Sequence, residues 1–386
     1  RMDGREWPAG TFFLARHGND RLGERVREAG LGGRAVPVAS GLTAEGHDLG
    51  TGEAYTLSLP RVALIAGDGT SPMSFGAHWF FLEETLGLPF DAVPAERLRS
   101  LQLDRYDVVV VPEVSGGALD ERTLKEVEGW VRRGGTLVAV ASGARTVAEP
   151  VAGVRMRERA SREEDEEGEK LARALRGRAE RELEDWEEQI PGTILPVRLD
   201  PDHPLAFGAG IDGDARMFFT LHRDGIVFEP AESVEVVGHF PAELEKTSGV
   251  ISETNLARLE QGGWLLHKRL GRGNVILFAD DPLFRHFWYS GFQPFTNALL
   301  IGPSLKRRGR ASVACGRGRL EPPAPAVAYR HTARMAVLGG MALAPGREGR
   351  EGCAIRAGGN DVAGMVPQRG LEPVHRVAGA GGGRIR

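Results

Sequence analysis

Residues 61–69 read Arg-Val-Ala-Leu-Ile-Ala-Gly-Asp-Gly, a short apolar run that stops at a turn. Two further apolar runs, 107–111 and 136–141, come after segments whose apolar residues have helical spacing, 75–86 and 119–131. Unbroken runs of Val, Leu and Ile are typical of strands that are covered on both faces. The pattern therefore predicts an α/β fold, a parallel sheet with helices on both faces. The apolar run at 274–279 is expected to join the same sheet.

The composition excludes several classes of function. The chain has 386 residues, of which 41% are hydrophobic, and a formal net charge of -4. This charge gives no overall attraction to nucleic acid, and aromatic and basic residues do not alternate on any one element, so nucleic acid is not an expected partner. No apolar run approaches the roughly 20 residues that a membrane-spanning helix needs. The two cysteines, Cys315 and Cys353, offer neither a disulfide framework nor a Cys-x-x-Cys metal motif.

Composition also divides the chain into three parts. Residues 1–50 are expected to form a small α/β segment that follows a missing domain, since the chain begins at Arg1 without a recognisable leader. Residues 51–304 are expected to form the α/β domain, with 151–189 as a charged helical insertion that is either a solvated excursion or a docking arm. Residues 305–386 are rich in Gly, Ala, Arg and Pro without periodicity, and they are predicted to form a disordered tail. A basic arm for anionic polymers is the functional alternative for this tail.

Four side chains form the candidate ligand pocket. In open α/β sheets, ligands bind at the carboxyl ends of the strands. Asp68, Glu113 and Ser115 follow two of the predicted strands and Arg285 follows a third, so together they suit a sugar or a peptide end. The glycine turn around Asp68 is not a dinucleotide fingerprint, because Pro72 stands where G-x-G-x-x-G requires glycine.

The two acids after the 274–279 run favour a structural interpretation. Asp280 and Asp281 are predicted to cap a helix that Pro282 begins, with Arg285 pairing back to a carboxylate. The alternative places these acids in the strand-end pocket.

The sequence patterns of catalysis and metal binding are missing. Ser142 follows a predicted strand as a nucleophile would, but Val140 occupies the position where G-x-S-x-G requires its first glycine. The histidines, among them His78, His203 and His267, are scattered and form neither H-x-x-E, nor H-E-x-x-H, nor a pair four residues apart. The sequence therefore predicts no catalytic residue, no metal ligand and no cofactor in this chain.

Several short motifs occur in a distinctive order. They are Pro-Ala-Gly-Thr-Phe at 8–12, His-Asp-Leu-Gly at 47–50, Pro-Arg-Val-Ala-Leu at 60–64, Tyr-Asp-Val-Val-Val-Val-Pro at 106–112, Gly-Gly-Thr-Leu at 134–137, Ile-Pro-Gly at 190–192, His-Pro-Leu-Ala-Phe-Gly at 203–208, and the segment 273–285. This order, over about residues 5–304, resembles the carboxy-terminal region of large bacterial zinc carboxypeptidase-family proteins. In that family a class I glutamine-amidotransferase-like domain follows the peptidase domain. The resemblance implies a flavodoxin-like, amidotransferase-like fold.

The resemblance also implies a function without catalysis. The family's zinc and catalytic glutamate belong to the peptidase domain, which would precede Arg1, and an active amidotransferase needs a cysteine after the strand that ends near Ala141. The expected function is therefore a non-catalytic accessory domain that docks on or positions the peptidase domain of the same chain. The alternative is a ligand-binding module for a sugar or a peptide end. The parent protein is expected to be exported to the periplasm or the cell exterior.

Overall fold

The computed structural model describes residues 4–7, 10–17, 19–43, 46, 56–157, 175–180, 189–210, 216–223, 225–305, 341–342 and 353–357. The strands in these ranges are β1 (Phe12–Leu14), β2 (Val36–Pro37), β3 (Val62–Ala66), β4 (Phe90–Pro94), β5 (Val108–Val111), β6 (Thr136–Val140), β7 (Gly192–Leu199), β8 (Arg216–His222), β9 (Glu235–His239), β10 (Ser248–Val250), β11 (Gly263–Leu270), β12 (Gly273–Phe278), β13 (Met341–Ala342) and β14 (Cys353–Ala357). The α-helices with described bounds are α1 (Leu22–Glu28), α2 (Pro72–Phe80), α3 (Glu121–Arg133), α4 (Ala141–Ala152), α5 (Glu253–Leu259) and α6 (Phe292–Leu300). None of the helices in the described ranges is long and apolar enough to cross a membrane.

Most strands belong to one ten-stranded sheet with the order β10-β7-β9-β11-β12-β6-β5-β3-β4, and β8 pairs with β7 beside this path. Five neighbours, β12, β6, β5, β3 and β4, run parallel. They include the four strands that the sequence predicts to share a sheet. Every residue of β5, β6 and β12 is buried, as expected for strands covered on both faces. The predicted α/β fold class is thus confirmed.

The other half of the sheet is antiparallel, which the sequence pattern did not indicate. β11 follows α5 and pairs antiparallel with β12, and β9, β7 and β10 continue the sheet outward in antiparallel pairs. The tight turn between β11 and β12 passes through Gly271, whose φ of +62° favours glycine and where a Cβ would lie 2.6 Å from the carbonyl oxygen of Arg132. The sheet is therefore mixed, and its parallel part is the part that resembles an open α/β domain.

Helices cover the parallel strands in two layers. In one layer α2 contacts α6, where the rings of His78 and Phe295 are 5.1 Å apart. In the other layer α3 packs against α4, and Trp130 of α3 is almost fully buried. The predicted helix over 75–86 begins earlier, because Ser71 accepts the backbone N–H of Ser74 as an N-cap, and it ends in a π-helical turn.

A second, small sheet involves the amino-terminal segment and the tail. β14 pairs antiparallel with β1, β2 and β13. The rest of 306–386, for which disorder is predicted, falls outside the described residues. Most of the 151–189 insertion falls outside them too, but Val151 and Ala152 are buried in the last turn of α4, so the excursion begins after them. The main domain likewise extends to Leu305, which is buried.

Candidate functional site

The loops after β3 and β5 are joined at the carboxyl end of the sheet. The N–H of Ser115 donates to the carbonyl of Gly69 at 2.7 Å. The N–H of Ser71 donates to the carbonyl of Glu113 at 2.8 Å. Gly69 has a φ of +80°, and a Cβ there would lie 2.7 Å from the Cβ of Ala118, so the close approach of the two loops requires glycine. This edge has the position where ligands bind in open α/β sheets.

Two of the four predicted pocket residues, Asp68 and Ser115, lie in these two loops. Asp68 is exposed on the first loop, and the hydroxyl of Ser115 donates to the carbonyl of Gly69 at 3.2 Å. Both loops therefore present polar groups to solvent at one place. The place of both residues at this edge follows from the buried strands that precede them, β3 and β5.

The other two predicted residues have different partners. Glu113 forms an ion pair with Arg223 at 3.0 Å, and the Arg223 guanidinium lies 4.0 Å from the ring centroid of Phe284. Arg285 donates from Nε to the sulfur of Met73 at 3.0 Å, so the prediction that it pairs with a carboxylate is wrong. A cavity of ≈ 380 Å³ lies elsewhere, beside α1.

The turn from β6 into α4 has the form of a nucleophile elbow without a nucleophile. Ala141 is the first residue of α4, is fully buried, and has a φ of +46°. A strained residue at a strand-to-helix turn is the one whose side chain an elbow presents for reaction. The methyl group of Ala141 has no reactive atom, and the Ser142 hydroxyl accepts the N–H of Val114 at 3.0 Å. The position equivalent to a nucleophile is thus one residue earlier than Ser142.

The acids after β12 have roles that differ from the predicted helix caps. Asp280 is buried, and its carboxylate accepts hydrogen bonds from Thr220, His222 and Trp264. Asp281 is also buried; it accepts the hydroxyl of Ser74 at 2.6 Å and, as a cap of the following turn, the backbone N–H of Leu283 at 2.9 Å. No α-helix begins at 282. The chain instead makes a short 3-10 turn, Phe284–His286, in which two residues have positive φ. The prediction failed because these carboxylates have long-range partners that local helix signals do not reveal.

An exposed apolar surface lies beside this turn. We call it the aromatic surface; it consists of Met73, Trp79, Phe80, Phe287 and Tyr289, each between 40% and 66% exposed. Phe80 stacks edge-on against His286 with 4.5 Å between ring centroids, which connects α2 to the 284–289 segment. All four exposed aromatic side chains in the described ranges belong to this surface. Large exposed apolar patches mark binding sites more often than scattered apolar residues do.

A histidine and glutamate cluster lies at the opposite end of β12. His203 Nε2 is 3.0 Å and His267 Nδ1 is 2.9 Å from the same carboxylate oxygen, Oε2 of Glu235. The two ring nitrogens are 3.3 Å apart. His203 and His267 are buried, while the side chain of Glu235 is 47% exposed. Sequence reasoning missed this group because 32 residues separate each member from the next, on three different elements.

The environment of the cluster sets its protonation. Hydrogen bonds from His203 and then His267 hold the pKa of Glu235 far below its usual range, against the effect of partial burial. Burial lowers the pKa of His203, which the hydrogen bond to Glu235 partly opposes. At neutral pH, Glu235 is therefore a carboxylate and His203 an uncharged imidazole. These are the forms that bind metal ions.

Comparisons with known proteins place the fold in context. No family model matches the chain, and no curated protein matches it. Among solved structures, a ThuA-like protein from Parabacteroides merdae has 11% identity and a TM-score of 0.41, covering 64% of this chain and 91% of its own. A glutamine amidotransferase from Thermotoga maritima has 12% identity and a TM-score of 0.36, covering 63% and 96%.

A larger enzyme also has a region of similar fold. The exo-beta-1,4-mannosidase Op5Man5 from an Opitutaceae bacterium has 12% identity and a TM-score of 0.36, covering 63% of this chain and 36% of its own. This chain thus spans about a third of the length of that enzyme. Since these TM-scores lie below 0.5, the fold class of this chain rests on its own strand order and strand directions.

Proposed function

We propose that this chain is a non-catalytic accessory domain that binds another protein domain through the aromatic surface. The observation that carries the proposal is the exposure of Trp79, Phe80 and Tyr289, which ring contacts through His286 connect, with exposed Phe287 next to His286 in the chain. Aromatic side chains bury a large apolar area at modest entropic cost and are enriched in the centres of protein interfaces. Burial of this apolar surface by a partner stabilises the complex of the two domains.

The absence of catalysis is supported by the elbow. Ala141 occupies the strained position at which a hydrolase or an amidotransferase of this architecture would carry its nucleophile. The neighbouring hydroxyl, Ser142, is engaged with the backbone of Val114. The elbow position therefore carries a methyl group, and the hydroxyl next to it is engaged in a structural hydrogen bond.

The proposed partner is a peptidase domain of the zinc carboxypeptidase type, encoded upstream in the same gene and exported with it. This choice rests on the order of sequence motifs. The alternative, a module that binds a sugar or a peptide end, receives less support because Glu113 is paired with Arg223 and Arg285 contacts Met73. What still supports this alternative is that Asp68 and Ser115 lie in the two joined loops after β3 and β5.

A binding experiment with surface variants tests the proposal. Phe80→Ser and Tyr289→Ser are expected to weaken binding to the separately purified peptidase domain at least about tenfold, as loss of an aromatic anchor does in protein interfaces. Val250→Ser is the matched control, because Val250 is 53% exposed but lies on the far edge strand β10. Calorimetry gives the dissociation constants. Equal affinities for all three variants, or a gene without an upstream peptidase domain, would overturn the proposal.

A further inference from the structure

Three possible metal ligands face one point between β9, β11 and the turn before Pro204. The atoms are His203 Nε2, Glu235 Oε2 and His267 Nδ1, with separations of 2.9, 3.0 and 3.3 Å. Ligand atoms at bond lengths of about 2.0–2.2 Å around a tetrahedral ion lie roughly 3.3 Å apart. We propose that His203, Glu235 and His267 form a binding site for a divalent transition metal ion, with zinc as the best-fitting candidate.

His267 is the ligand that the structure prepares best. The side-chain amide of Asn274 donates from Nδ2 to the carbonyl of Gly302 at 3.0 Å, so its Oδ1 faces His267. His267 Nε2 lies 2.9 Å from that oxygen and donates its proton there. With Nε2 keeping its proton, Nδ1 gives up the proton that it shares with Glu235 when an ion binds, and its lone pair is then directed at the cluster. Metal-binding histidines almost always have such a partner on their second nitrogen, because this hydrogen bond fixes the tautomer and the orientation of the ring.

Glu235 supplies the negative charge and the access to solvent. Its second carboxylate oxygen, Oε1, lies 3.5 Å from the Arg269 guanidinium, which orients the carboxylate while Oε2 faces the histidines. Because Glu235 is half-exposed, it can move by the few tenths of an ångström that a bound ion requires. The opening on this side also leaves room for water as a fourth ligand, as in zinc sites with three protein ligands.

His203 is the weakest of the three ligands. Its Nδ1 accepts the backbone N–H of Leu205 at 3.1 Å, so in the uncharged ring Nε2 carries the proton and donates it to Glu235. Binding an ion through Nε2 moves that proton to Nδ1 and breaks the bond from Leu205. Because this exchange costs free energy, we expect the loss of His203 to weaken metal binding less than the loss of His267 or Glu235. Two imidazoles and one carboxylate favour Zn²⁺, Ni²⁺ or Cu²⁺ over Mg²⁺ and Ca²⁺, which prefer oxygen ligands.

The test is zinc binding by the full chain after removal of metal with a chelator. We expect one equivalent of Zn²⁺ to bind, with Mg²⁺ unable to compete. His267→Gln is expected to reduce the affinity at least about 100-fold and His203→Gln less than that, because the second nitrogen of His267 faces an acceptor whereas that of His203 faces a donor. Glu235→Gln is expected to weaken binding by about tenfold or more. Since Glu235 is half-exposed, this variant tests the site even where a histidine variant fails to fold.

Two controls distinguish this site from other histidines of the chain. His239→Gln lies on the same strand as Glu235, but its ring nitrogen Nδ1 contacts the carbonyl of Phe240 and not the cluster. Glu232→Gln removes an exposed carboxylate three residues from Glu235. Both should bind zinc like the unaltered chain. Failure of the unaltered chain to bind zinc, or unchanged affinity in both Glu235→Gln and His267→Gln, would overturn the proposal.

Discussion

The indole N–H of Trp264 donates a 2.7 Å hydrogen bond to the buried carboxylate of Asp280. Trp264 lies on β11, in the antiparallel half of the sheet, and Asp280 lies just beyond the carboxyl end of the parallel strand β12. The same carboxylate oxygen accepts Thr220 at 2.9 Å and His222 at 3.1 Å. One buried acid thus connects three strands, and its charge is stabilised by three donors.

Asp280→Ala should destabilise the domain by about 3–5 kcal/mol, because it leaves three buried donors without an acceptor. Thr220→Val, which removes one donor and keeps the side-chain shape, should cost only about 1–2 kcal/mol. Urea unfolding monitored by tryptophan fluorescence measures both changes. If Asp280→Ala cost no more than Thr220→Val, the carboxylate would not be the centre of this network.

Gly143→Ala and Gly76→Ala should change stability in opposite directions, although both glycines lie inside helices. A Cβ on Gly143 would come 2.1 Å from the carbonyl oxygen of Pro112, so we expect a loss of about 1–3 kcal/mol. No atom lies within 4 Å of a Cβ on Gly76, so the higher helix propensity of alanine should add about 0.5–1 kcal/mol. Urea unfolding of the two variants under the same conditions decides the matter. A stable Gly143→Ala variant would mean that α4 approaches the loop after β5 less closely than the structure has it.

The sequence predicted four of the five parallel strands because each of the four is a local apolar run; β4, which contains Asp91 and is mostly exposed or half-buried, has no such run. Val108 to Val111 must be covered on both faces, wherever the rest of the chain lies, and this requirement alone indicates a central strand. β11 contains the polar residues His267, Lys268 and Arg269, so its pattern does not indicate a buried strand. Its place next to β12 follows from the hairpin between them, which depends on a single turn.

The residues of the candidate sites also differ in how far the sequence alone can predict them. Asp68 and Ser115 could be proposed from the sequence because they lie in the loops that follow predicted strands. Ala141 was not recognised as the elbow residue, since a positive φ at alanine is a consequence of the strand-to-helix turn and has no sequence signal of its own. The cluster around Glu235 depends on the pairing of β9 with β11 and on the position of the turn at His203, both of which are tertiary contacts.

The ion pair between Arg61 and Asp107 should make stability depend on acid pH. Partial burial raises the pKa of Asp107, but hydrogen bonds and charge from Arg61 outweigh this effect, so the pKa lies below its ordinary value. A carboxyl group whose pKa is lowered by folding stabilises the folded state above its unfolded pKa of about 4, and this stabilisation is lost as the pH falls through the folded value. Since both side chains are largely exposed, the contribution should be below about 1 kcal/mol.

The comparison that checks this effect is Asp107→Asn against the unaltered chain, with urea unfolding between pH 7 and pH 3. The difference in stability should be largest near pH 7 and should shrink toward pH 3. Asp202→Asn, which removes an exposed carboxylate in a surface turn, is the control. A difference between Asp107→Asn and the unaltered chain that is independent of pH would contradict the assignment.

Truncation after Leu305 should leave the main thermal transition unchanged, whereas truncation after Pro303 should lower it. Leu305 is buried in the main core, and the hydroxyl of Ser304 donates to the carbonyl of Thr56 at 2.8 Å. Loss of one buried leucine costs about 1.5–3 kcal/mol, which corresponds to several degrees in a domain of this size. The strands described beyond Leu305, β13 and β14, pair with each other and with β1 and β2, not with the ten-stranded sheet. Differential scanning calorimetry of the two truncated chains measures both effects. A lower temperature of the main transition after removal of residues 306–386 alone would mean that the tail stabilises the ten-stranded sheet.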